Sequence, residues 1–93
     1  MKIDWDEDKR QLVLETRDID FADLRDLLFL PYIEDQKNDA PEQYRIIGFC
    51  QGKLCSFIVE YREDGQEEHI WVVTAWNATK QERKAYEKET RGY

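Results

Sequence analysis

Four cations in this 93-residue chain stand where an anion could be gripped: Arg45, Arg62, Lys80 and Arg83. Arg45 lies at the start of one long apolar strand pattern, and Arg62 directly follows another. A guanidinium binds phosphate through a rigid planar fork, so an arginine at a strand end suits that contact. The plainer reading is a solvated charge. Lys80, Arg83 and Tyr86 recur at three-residue spacing, and Arg83 and Glu87 at four, which lets them share a helix face. That face reads either as a phosphate contact or as a solvated surface. Tyr86 is a candidate proton donor, or a core aromatic with a wet hydroxyl. His69 is the one histidine. Its ordinary pKa suits proton transfer. Its place at a strand start, beside the phosphate-repelling Glu67 and Glu68, reads instead as exposed and idle.

The element that positions most of these groups is the stretch from Ile70 to Lys88. Ile70-Trp71-Val72-Val73-Thr74-Ala75-Trp76 is β-branched and aromatic, as a packed, pleated surface prefers. Thr79 then offers a hydroxyl to the first helical turn, and Glu82 follows three residues later. This is a capping box, so the spacing predicts a helix starting at Lys80. A strand end that meets a helix N-terminus gathers backbone donors and side chains in one place. It is either a ligand site or a structural corner.

The rest of the chain supplies the scaffold. Lys2-Ile3-Asp4-Trp5 alternates as a short strand. Asp6 and Glu7 favour a helix start, and the pattern runs to about Arg17 with Lys9, Leu12, Val13 and Thr16 on one face. Asp20 is the expected N-cap of a second helix, whose stripe is Phe21, Leu24, Leu27 and Leu28. Pro31 ends it at or before Leu30. Tyr32-Ile33-Glu34 fits a short edge strand, and Asp35 to Pro41 reads as a polar loop. Gln43–Cys50 and Lys53–Tyr61 form a hairpin around Gln51-Gly52. Arg62 to Glu67, carrying Gly65, is a second turn, and His69–Ala75 is the last strand. Both alternating sets in these strands are largely apolar, so the sheet must be covered on both faces. The order β-α-α-β-β-β-β-α predicts one α+β domain over residues 1–93: a mostly antiparallel sheet with two N-terminal helices and a C-terminal helix.

Composition excludes some classes. The net charge is −7. Residues 78–93 hold five basic and three acidic residues, +2, against nine basic and eighteen acidic, −9, in residues 1–77. A generic nucleic-acid binder would carry a basic footprint; here only the C-terminal helix is basic. An acidic remainder suits a basic protein partner. No apolar run spans a membrane and no signal-peptide pattern opens the chain, so a cytoplasmic protein without membrane contact is expected. Cys50 and Cys55 lie in apolar strands and read as buried free thiols; a cross-strand disulfide is not expected in a reducing compartment. With a single histidine and no second cysteine pair, neither a zinc site nor another cofactor is expected.

The sequence resembles the BrnT family of toxins from bacterial toxin–antitoxin pairs, which have a RelE-like ribonuclease fold. The likeness runs through Ile3-Asp4-Trp5-Asp6-Glu7-Asp8-Lys9, Ile19-Asp20-Phe21 and Tyr44-Arg45-Ile46-Ile47-Gly48-Phe49 with Gly52-Lys53-Leu54. It continues through Val59-Glu60-Tyr61-Arg62-Glu63 and Ala75-Trp76-Asn77-Ala78-Thr79-Lys80-Gln81-Glu82-Arg83-Lys84-Ala85-Tyr86-Glu87. The resemblance implies a toxin that cuts RNA and represses translation. It implies neutralisation by a BrnA-like DNA-binding antitoxin, and a homodimer within the complex. Metal-free RNA cleavage needs a base for the 2′-hydroxyl, cations for the crowded phosphate and an acid for the leaving 5′-oxygen. On the resemblance, the catalytic candidates are Arg45, Arg62, Arg83 and Tyr86, and the RNA-binding candidates are Trp76, Asn77 and Lys80. Trp76 would stack on a base, or anchor the core or an interface. The chain departs from the family in two places. Thr74-Ala75-Trp76-Asn77-Ala78 stands where members carry Ser-Ala-Arg-Lys-Ala, and Thr16-Arg17-Asp18 stands where Lys-His-Gly is usual. The expectation is therefore an endoribonuclease toxin, with a non-cleaving binding module of the same fold as the alternative.

Overall fold

The computed structural model describes residues 2–91. Strand β1 (Lys2–Trp5) leads into α1 (Glu7–Arg17), whose N-cap Asp6 accepts from the Asp8 N–H at 3.0 Å. α1 ends at Asp18 in the left-handed region, φ 56°, a conformation a short polar side chain tolerates. The expected second helix is shorter than its apolar stripe suggested. A 3-10 turn, Phe21–Asp23, runs into one α-helical turn, α2 (Leu24–Leu27). Asp20 caps it through the Ala22 N–H, as its position predicted.

Strands β2 (Tyr32–Asp39), β3 (Glu42–Cys50), β4 (Lys53–Asp64) and β5 (Glu67–Asn77) follow, and α3 (Lys80–Glu89) closes the chain. The sheet order is β1-β5-β4-β3-β2; only the β1–β5 pair is parallel. The polar loop expected from Asp35 onward is instead the second half of β2. Its residues are exposed and carry no apolar alternation, but they pair with β3 through Asp39↔Glu42. Backbone pairing, not side-chain burial, makes this strand. Gln51 and Gly52 both have positive φ, as a two-residue hairpin turn with right-handed twist requires. In β5, Thr74 pairs with Ile58 and Val72 with Val59, so Val73 is an unpaired bulge.

The sheet is covered twice, but unequally. Val13, Ile19, Phe21, Leu24 and Leu27 pack on one face against Ile46, Phe57, Val59, Ile70, Val72 and Ala75. The other face holds a small cluster of Ile47, Leu54 and Tyr86 under α3. α1 contributes less than its pattern promised: Val13 is buried, but Leu12 is 52% exposed and Thr16 faces solvent. Cys50 and Cys55 are buried free thiols. No described helix is long and apolar enough to cross a membrane.

Candidate functional site

The capping box at the start of α3 does more than begin a helix. Thr79 Oγ1 accepts from the Glu82 N–H at 3.1 Å, and Glu82 Oε1 accepts from the Thr79 N–H at 2.9 Å. The same Glu82 carboxylate accepts from the Trp76 indole at 3.0 Å and from Arg45 Nη1 at 3.2 Å. One 7%-exposed side chain thus ties α3 to the end of β5 and to β3. Burial pushes the Glu82 carboxyl up, but the Thr79 N–H, the indole and Arg45 outweigh it and hold it below its usual value. The buried Ser56 hydroxyl has no hydrogen-bond partner among the described residues.

Arg45 is held from a second side. Its Nε and Nη2 donate to the two oxygens of Asp35 at 2.9 and 2.6 Å. The two residues face each other across β2 and β3. The Asp35 fork keeps the guanidinium charged by raising its pKa further. A cleft of about 660 Å³ opens here between α3 and the sheet, with Arg45, Trp76, Thr79 and Glu82 among its walls.

Of the seven candidates, this cleft brings together Arg45 and Trp76. Asn77, Lys80 and Arg83 are exposed near the β5–α3 junction, with the Asn77 amide 3.5 Å from the Arg17 carbonyl. Lys80 and Arg83 make no ion pair with a described residue. Tyr86 is 8% exposed, meets Phe49 edge-on and donates its hydroxyl to the Pro31 carbonyl at 2.9 Å. Arg62 lies elsewhere. It pairs with Glu60 at 2.6 Å and stacks over Trp71 at 4.4 Å. Arg45 pairs with Ile58, so Arg62 sits four residues further along β4. That is about 13 Å at an ordinary strand rise. His69 is half-buried and opposite Arg62. Among the described residues, no cluster of three or more His, Cys, Asp and Glu side chains is arranged to hold a metal.

Two carboxylates that shape the site are not legible as such in the sequence. Glu82 shows only as a cap, which is a local pattern. Asp35 acts on Arg45 through strand register, which spacing along the chain does not display.

No protein-family model matches the chain, and no curated protein matches it. Among solved structures, the crystal structure of the Brucella abortus ribonuclease toxin BrnT is similar to it. That protein is 29% identical, with a TM-score of 0.59, over 86% of this chain and 99% of its own. The likeness spans most of both chains, so the sheet-and-helix fold that frames the cleft is BrnT-like.

Proposed function

We propose that the chain is the toxin of a type II toxin–antitoxin pair and a metal-independent endoribonuclease that acts in the cytoplasm and stops translation. The observation that carries this is the likeness to a ribonuclease toxin over nearly its whole length. In this reading the RNA 2′-hydroxyl gives its proton to solvent and attacks the adjacent phosphorus, and the 5′-oxygen leaves and is protonated as the hydroxyl of the downstream fragment. The protein supplies charge to the crowded phosphate. Arg45 lines the cleft, and the Trp76 ring in the same lining would be a surface for a base. Lys80, Arg83 and Asn77 are exposed outside the cleft lining and would meet neighbouring phosphates. Arg62 would meet a phosphodiester further along the strand. Tyr86 would have to leave the Pro31 carbonyl to act as acid. The partner is a BrnA-like antitoxin, and the toxin is held as a homodimer within that complex.

A second reading is a BrnT-fold binding module that does not cut RNA. One observation favours it: Arg45 and Arg62 are both neutralised by carboxylates, while Trp76-Asn77 replaces the family's basic pair. The test is induction of the chain with and without the neighbouring gene, alongside incubation of purified protein with total RNA. The toxin reading expects growth arrest relieved by the neighbour and by Arg45→Ala, with RNA fragments that persist in chelator. Intact RNA over a full titration, with growth unaffected, supports the module.

A further inference from the structure

Arg45 has two carboxylate partners of different character. Glu82 is buried, and its oxygens also serve the Thr79 N–H and the Trp76 indole. Asp35 has 51% of its side chain exposed, lies on the edge strand β2 and makes no other ion pair with a described residue. It takes the Nε/Nη2 edge of the guanidinium in a two-point fork. A phosphodiester presents two oxygens in the same geometry to the same edge.

The cleft around this fork has the volume of a small-ligand site. Its walls carry three carboxylates, Asp35, Glu82 and Glu89, against two cations, Lys37 and Arg45, while Glu34 turns its own carboxylate to the Tyr61 hydroxyl on the other face of the sheet. An RNA strand entering it meets an unfavourable field unless one carboxylate gives way. Of Arg45's two carboxylate partners, Asp35 is the one that can swing into water with fewer bonds broken.

Resting on the reading of the chain as an RNA-binding toxin, we propose that Asp35 is a built-in competitor for the phosphodiester site at Arg45. RNA binds by displacing it, so the chain is a self-damped RNA binder.

The test measures binding of a fluorescent single-stranded RNA oligonucleotide by anisotropy across a salt series. The proteins are the wild type, Asp35→Asn, Asp35→Ala, Arg45→Lys, the double variant Asp35→Asn/Arg45→Lys, and Asp39→Asn as a charge control on the same strand. Both Asp35 variants tighten binding roughly fivefold, the worth of one unit charge a few ångströms away near solvent. Asp39→Asn gives less than half that gain. Arg45→Lys, which keeps the charge and loses the fork, removes the gain in the double variant. Circular dichroism checks that each variant is folded. Three results each overturn the proposal: Asp35 variants no tighter than wild type, a gain matched by Asp39→Asn or kept in the double variant, and no RNA binding by any protein. Cleavage is scored separately. A binding gain without cleavage by any variant leaves the competitor in place and removes the enzyme. Cleavage without a gain does the reverse.

Discussion

Glu82→Ala tests whether one carboxylate holds three elements together. The substitution removes the reciprocal half of a capping box, worth about 1 kcal/mol. It also removes charge-assisted bonds from the Trp76 indole and Arg45 Nη1. Deleting one partner of a buried pair costs roughly 3–5 kcal/mol when the other charge is stranded. Arg45 is not stranded, because Asp35 retains it, so the cost falls below that range, to about 2 kcal/mol. The expected loss is roughly 3 kcal/mol in all. In a chain of 93 residues, about 1 kcal/mol moves Tm by roughly 4–8 °C, so Tm falls by roughly 12–24 °C. Urea and thermal denaturation followed by circular dichroism measure it. Glu82→Gln keeps the acceptor and the shape but not the charge, and should recover about half. A loss under about 1 kcal/mol in Glu82→Ala would refute the linkage and leave Glu82 as an ordinary cap.

Three other outcomes follow from the structure. At Gly48 an added Cβ meets Leu27 at 2.9 Å and Tyr32 at 3.2 Å; Gly48→Ala should cost about 1–3 kcal/mol by overpacking, read from the urea midpoint. Asp20 is held below its usual carboxylate range by Arg10, and Glu60 by Gln43 and then Arg62, while the bonds to Glu82 outweigh its burial. A carboxylate with a lowered folded pKa adds stability above its unfolded value of about 4, and that stability is lost as pH falls through the folded value. Denaturation midpoints should hold near neutrality and drop below about pH 4, with a flatter profile for Asp20→Asn. Cys50 and Cys55 are buried; the Cys55 thiol and then burial raise the Cys50 pKa, while the Cys50 thiol lowers that of Cys55, so it is burial that shields both. A thiol reagent should therefore label neither in the native protein and both after unfolding; rapid native labelling would contradict the packing.

What the sequence disclosed tracks how local each cause is. Thr79 and Glu82 lie within one turn, so the start of α3 was visible, and Gln51-Gly52 announced its own hairpin. The second part of β2 is not legible because Asp35 to Asp39 is polar and its strand state comes from the neighbour it pairs with. α1 looked more amphipathic than it is, since only Val13 of the expected face is buried. The cations were legible as types. Their carboxylate partners were not, because Asp35 reaches Arg45 across two strands and Glu82 reaches it across 37 positions.

The single parallel pair has a consequence for how the chain comes together. Lys2 sits beside His69, and Trp5 beside Val72. β1 can take up that pairing only once β5 has been made. It must therefore wait for the intervening elements to emerge, and such long-range closure slows folding. Any activity that depends on the finished sheet is withheld from nascent and truncated copies, which leaves an interval in which a partner already present can meet the new molecule first.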